Sequence, residues 1–326
     1  MLSRRNFILS MLGASCAAHS ASALTVKNVE YISIAKLAQT CGMRWKTTVE
    51  NKAQTVFGKI SKMDFAVNSR AMTLNGTTVW LGHPVVESGG MLHISTRDYF
   101  KTIRPILFPQ TNGTPKKLFH IFIDPGHGGK DRGAMNAKYR LTEKAVALDI
   151  AGRLGKELRK NGYKVSFSRL DDSFVELPDR PAMANSRGAD LFLSIHCNAA
   201  APSINGVETF ALAPRAMPST SSAKISRGDY EKYPGHANDE WNQMLAYYIQ
   251  RALRIATGSP DRGVKRARFA VLKGAKMPAA LVECGFISNN GECAKMMSAN
   301  YRQLLAQTIA SAVIAYHNTL RRISKK

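Results

Sequence analysis

Four residues of this chain have the types and places that chemistry needs: His127, Glu143, His196 and Glu283. His127 follows the apolar run of IFIDPGHGG (121–129), His196 closes DLFLSIHCN, Glu283 closes PAALVECGF, and Glu143 opens an amphipathic stretch. Two neutral imidazoles and one carboxylate form a donor set for Zn²⁺ that leaves a fourth position for water. An ion so held lowers the pKa of water toward neutrality and polarises a carbonyl. A second carboxylate outside the ligand set can take the proton and pass it to a leaving amine. This reading makes His127, Glu143 and His196 the metal ligands and Glu283 the general base and acid. Each residue alone also has an ordinary reading. A Gly-flanked His can be a turn residue, a Glu in a first helical turn answers the helix dipole, and Glu283 can be a buried, hydrogen-bonded carboxylate.

The elements that must position these groups follow from periodicity. From residue 118 onward strands and helices alternate, which predicts an α/β fold with a twisted, mostly parallel sheet flanked by helices. The strand candidates are 118–123, 163–168, 190–195, 207–212, 268–272 and 279–282. A helix over 143–160 is predicted from Val146, Ala147, Ile150, Leu154 and Leu158, with Thr142 as N-cap and Asn161-Gly162 as stop. A terminal helix is predicted over 301–320. In open α/β sheets functional groups gather beyond the carboxyl ends of the strands. Three of the four residues sit at such ends, and the fourth begins the helix that leaves the same rim. Adjacent strand residues point to opposite faces. If His196 and Glu283 face a cleft, Cys197 and Cys284 face the packed side and are not ligands. Beyond residue 23 the cysteines are Cys41, Cys197, Cys284 and Cys293, with no zinc-ribbon spacing. A Cys284–Cys293 bridge is left open.

Residues 24–110 are predicted to form a small α+β accessory domain. Strands running into helix starts are read at 29–37 and 91–100, and hairpins within 47–60 and 64–81, with a turn at Asn75-Gly76. The unit loosely resembles the module first named from the N-terminus of copper amine oxidases. It carries no metal-ligand spacing, and His83 and His93 stand isolated. A polar Gly/Pro-containing linker is placed at 111–117, with the catalytic domain at 118–326. Over residues 1–23, the order Ser3-Arg4-Arg5-Asn6-Phe7-Ile8 resembles the twin-arginine export signal, and Ala21-Ser22-Ala23 fits a cleavage site. The stretch is too short for a membrane span. The protein is therefore expected in the periplasm or cell envelope. The net charge of +23 on 326 residues favours polyanionic partners. Export removes nucleic acid from that list and leaves peripheral contact with anionic envelope material. The cluster Arg262, Lys265, Arg266 and Arg268 is the local candidate for such contact, its ordinary alternative being a solvated charged face.

Residues 119–320 resemble the zinc-dependent N-acetylmuramoyl-L-alanine amidases of bacterial cell walls. The segments that carry the likeness occur in order: IFIDPGHGGKDRGA (121–134), TEK (142–144), NGYKVSFSR (161–169), LPDRPAMAN (177–185), ADLFLSIHCNA (189–199), NGVETFAL (205–212), DRGVKRARFAVLK (261–273) and MPAALVECGFISN (277–289). The resemblance implies one zinc per chain on His127, Glu143 and His196, Glu283 as catalytic glutamate, and peptidoglycan as substrate. The implied reaction is hydrolysis of the amide between the lactyl group of N-acetylmuramic acid and L-alanine, for wall remodelling or daughter-cell separation. One departure lies at 136–141, where the family usually has a glycine before the ligand Glu. The resemblance also raises the expectation of a lid in 213–240, displaced by a protein activator, with Glu231, His236 or Glu240 as a blocking ligand. Its rival is a solvated loop. Two other functions are weighed: a zinc peptidase cutting within the stem peptide, and a non-catalytic wall-binding protein.

Overall fold

A computed structural model describes residues 24–222 and 224–325; the export-signal reading of residues 1–23 lies outside them. Among the described residues the strands form an eleven-stranded mixed sheet, a four-stranded sheet and a two-stranded ribbon. The large sheet begins with Lys164–Phe167, His120–Pro125, Leu191–Asn198 and Ala279–Phe286, all parallel neighbours. Val207–Leu212 then pairs antiparallel with Ala279–Phe286, and Asp261–Ala267 pairs parallel with Val207–Leu212.

Alternation along these strands sorts two cores. Ile121, Ile123, Leu193, Ile195, Cys197, Val282 and Cys284 face the helices Glu143–Lys160, Asp239–Thr257 and Ala299–Ser324. Phe122, Phe192, Phe210, Leu212 and Leu281 face the shorter helices Asp179–Ser186 and Ala270–Gly274. Each fully buried Leu, Ile or Phe contributes about 1.5–3 kcal/mol by leaving water. Because the second face has only short helices, its upper rim stays open, and the side chains with chemistry stand there. Cys197 and Cys284 lie on the packed side, as their alternation with His196 and Glu283 requires. All four described cysteines are free, buried thiols, so there is no Cys284–Cys293 bridge.

The helix Glu143–Lys160 matches its predicted span and buries Val146, Ile150, Leu154 and Leu158. Thr142 occupies the N-cap position but makes no side-chain cap. The first turn is docked on the preceding loop instead, with Glu143 N–H donating to Ala134 O and Lys144 N–H to Arg132 O. The expected strand at 268–272 is absent. The strand is Asp261–Ala267, and Ala270–Gly274 is helical. The polar sequence DRGVKRA forms a central strand because its charges are satisfied inside the fold: Arg266 pairs with Asp239 and Lys265 with Glu208.

Residues 24–110 contain the two strand-to-helix units, Val29–Ser33 into Ile34–Thr40 and Met91–Ser95 into Thr96–Asp98. Ser33 and Ser95 cap those helices. Asn75 and Gly76 turn the Ala71–Leu74/Thr77–Trp80 hairpin, both at positive φ (50° and 75°), as a type I′ turn demands. Thr77–Trp80 also pairs parallel with Asp261–Ala267 through Val79 and Val264. The large sheet thereby runs on through Ala71–Leu74, Lys62–Ala66 and Ala53–Phe57 to an edge at Arg44–Val49. Ala211, Ala246, Tyr247 and Val264 pack into the same core as Ile34, Phe65 and Leu81.

Candidate active site

His127, Glu143 and His196 meet at the carboxyl rim of the sheet, with one ligand atom from each inside a mutual 4.8 Å. Among the described residues this is the sole such group; His83 and His93 take no part in one. Glu143 Oε1 lies 3.1 Å from His127 Nε2 and 2.9 Å from His196 Nδ1. The two imidazoles stand edge to face, ring centres 5.0 Å apart. Metal–ligand bonds of ~2 Å in a tetrahedron place donor atoms about 3.3 Å apart, so the three residues present fit a small divalent cation.

Backbone geometry explains how a histidine reaches that point. His127 holds φ +60°, a left-handed conformation that costs a side chain about 1–2 kcal/mol. The turn is kept there by two buried guanidiniums. Arg180 donates to Pro125 O (2.9 Å) and His127 O (3.0 Å), and pairs with Asp124 at 2.8 Å. Arg169 donates to Pro125 O (3.1 Å) and Gly126 O (2.6 Å). Asp124, fully buried, also accepts from Ser168 and Ser194. Gly126 is required by contact: a Cβ there would lie 2.3 Å from the His196 ring.

Asp131 accepts from His127 Nδ1 at 2.8 Å, which fixes the tautomer and turns Nε2 toward Glu143. Glu143 is held at both oxygens, Oε1 by Cys197 N–H (3.0 Å) and Oε2 by Ala134 N–H (2.9 Å). Burial opposes its ionisation, but hydrogen bonds to His127 and His196, with their charge, outweigh it. The carboxyl is held well below the usual carboxylate range. In the loop at 136–141, Arg140 adopts a left-handed φ of +51°. Asn136 ties the loop to Ile287 O (2.9 Å) and Asn290 Oδ1 (3.0 Å).

Glu283 is the register partner of His196 on one side and of Glu208 on the other, so all three share the open face. It is 9% exposed, and its Oε2 is a buried oxygen without a hydrogen-bond partner. Burial pushes its proton affinity well above the usual range, reinforced by the charges of Glu143 and Glu208 and opposed by Lys265. Glu208 is itself satisfied by Asn198 Nδ2 (2.6 Å), Lys265 and Arg262.

The structure brings together all four residues picked out in the sequence. It adds Asp131, Asp124, Arg169, Arg180 and Glu208, whose partners lie mostly far off in the chain. The expected blocking ligands do not reach the centre. Glu231 bonds Tyr233, His236 spans Tyr233 N–H and Ala213 O (both 3.0 Å), and Glu240 pairs with Lys101 at 2.6 Å. Each is engaged by a local or cross-sheet partner, so among the described residues of 213–240 none of the three supplies a ligand to the centre.

Fold and rim together define an α/β domain whose open face carries three side chains able to hold a metal ion beside one buried carboxyl. The chain belongs to the N-acetylmuramoyl-L-alanine amidase family, whose profile matches residues 121–315. It is similar to amidase LytC of Bacillus subtilis strain 168, 40% identical over 198 residues covering 60% of this chain and 35% of LytC. It is also similar to amidase AmiA of Escherichia coli K12, 33% identical over 219 residues covering 60% of this chain and 75% of AmiA. Its fold matches the solved N-acetylmuramoyl-L-alanine amidase of Clostridium difficile 630 with TM-score 0.53 and 31% identity, over 63% of this chain and 99% of that one. The chain thus spans about a third of LytC, and the matched family segment leaves residues 24–120 outside it.

Proposed function

We propose that this protein is an exported peptidoglycan amidase that hydrolyses the bond between N-acetylmuramic acid and L-alanine, with zinc held by His127, Glu143 and His196. The observation that carries the reading is the unpartnered Glu283 Oε2 on the same open face as that donor set. Zinc bound there supplies a Lewis acid for the amide carbonyl and brings the pKa of water near 7. The chain supplies the rest. Asp131 holds His127 in one tautomer. The backbone donors of Ala134 and Cys197 hold Glu143 oriented. Glu283 Oε2 takes a proton from the attacking water and returns it to the alanine nitrogen as the C–N bond breaks.

Export follows from the twin-arginine-like pattern of residues 3–8, and no described helix is long and apolar enough to cross a membrane. In this reading residues 24–110 act as an accessory domain joined through 111–117. The test is digestion of purified sacculi by zinc-loaded protein, followed by mass spectrometry. Glycan free of peptide, with stem peptides beginning at L-alanine, is the expected product. Cleavage inside the stem peptide makes the protein a peptidase. No cleavage with stoichiometric zinc leaves a wall-binding protein.

A further inference from the structure

Of the four cations in the 262–268 cluster, three are consumed within the fold. Arg266 donates to Leu212 O (2.9 Å), Lys101 O (2.6 Å) and Asp239 (3.0 Å). Arg268 donates to Pro214 O (2.9 Å) and Met217 O (2.7 Å) and pairs with Asp229 at 2.6 Å. Lys265 closes on Glu208. Arg262 differs. Only its Nε is engaged, 3.3 Å from Glu208 Oε2, and among the described residues neither terminal nitrogen has a protein partner. Its side chain is 34% exposed.

This guanidinium is nonetheless held in place. It stacks on Phe286, 5.2 Å from the ring centre, and its backbone carbonyl accepts from Trp80 Nε1 at 2.9 Å. The next residue, Gly263, has φ +89° and lies so close that a Cβ would meet Thr78 at 2.8 Å. The N-terminal unit thus fixes the backbone, while Glu208 and Phe286 fix the side chain. Arg262 and Lys265 share one carboxylate oxygen of Glu208, which leaves the terminal nitrogens of Arg262 available. The strand of Arg262 is two places from that of Glu283, about 10 Å at ordinary sheet spacing. A residue of extended peptide spans about 3.5 Å, so a carboxylate one residue beyond the scissile alanine lies within reach of a side chain of this length. A planar fork with two free donors matches a carboxylate bidentately.

We propose that Arg262 is the receptor for a free carboxylate on the stem-peptide residue following L-alanine, and so sets substrate preference. This rests on the amidase reading. The test compares two synthetic muramoyl peptides, identical except that this carboxylate is free in one and amidated in the other. Zinc-loaded full chain is expected to favour the free acid roughly 10- to 100-fold in kcat/KM, chiefly through KM. Arg262→Gln collapses that ratio toward one, and Arg262→Lys, which keeps charge but loses the fork, restores part of it. Dissociation constants measured in Glu283→Gln protein follow the same pattern. Equal treatment of the two peptides by the wild type, or an equal loss on both in Arg262→Gln, overturns the assignment. If neither peptide is cut, the amidase reading fails, while the two dissociation constants still judge the carboxylate receptor.

Discussion

Replacing Glu283 with glutamine separates two properties that the native carboxyl combines. The variant keeps the size and one hydrogen-bonding oxygen but cannot ionise or exchange a proton. As a general acid–base group Glu283 is worth about 10²–10⁴ in rate, and that is the expected fall in kcat on sacculi with zinc content unchanged. Stability moves the other way. Glu283 keeps a buried oxygen without a partner beside the charges of Glu143 and Glu208, and its proton affinity is raised. For an acid the sign is fixed: the folded state holds its proton more tightly than the unfolded chain, so stability is lost as pH rises from ~4.3 upward through the folded-state value. The glutamine variant escapes this loss. Removing the buried negative charge beside Glu143 and Glu208 is worth about 1–3 kcal/mol at pH 8, or about 2–5 °C in Tm for roughly 300 ordered residues. Thermal unfolding of chelator-treated wild type and variant, at pH 5 and pH 8, should show the variant's advantage growing with pH. A variant less stable than wild type at pH 8, or one that digests sacculi within a few-fold of the wild-type rate, refutes the reasoning.

Asp131→Asn keeps the contact to His127 Nδ1 but weakens its hold on the tautomer, and should cost 10- to 100-fold in zinc affinity by competition titration. Gly126→Ala drives a methyl into the His196 ring, so metal stoichiometry and activity should fall together while far-UV circular dichroism stays native. Arg180→Met leaves Asp124 buried and uncompensated and frees the His127 carbonyl; urea unfolding should register a loss of about 3–5 kcal/mol.

The candidate site residues were legible because chemistry and topology agree at them. His127, His196 and Glu283 each end an apolar run, and Glu143 opens a long helix with clear periodicity. What holds them was less legible. Arg169 and Arg180 act on the backbone carbonyls of Pro125, Gly126 and His127, and nothing in an arginine's neighbours says which distant carbonyl it will find. The misplaced strand has a related cause. Hydropathy favoured 268–272 over the charged Asp261–Ala267, because ion pairs to Asp239 and Glu208 cannot be seen before the chain is folded. The same blindness applied to Glu231, His236 and Glu240, which look like spare ligands until their partners are known.

The parallel pairing of Val79 with Val264 has a practical side. A chain beginning at residue 118 would leave the outer flank of Asp261–Ala267 without a neighbour and strip apolar cover from Tyr247 and Ala246. An open strand flank of that sort is a template on which other chains add. Shortening this protein to its catalytic half would therefore trade a sealed border for a sticky one.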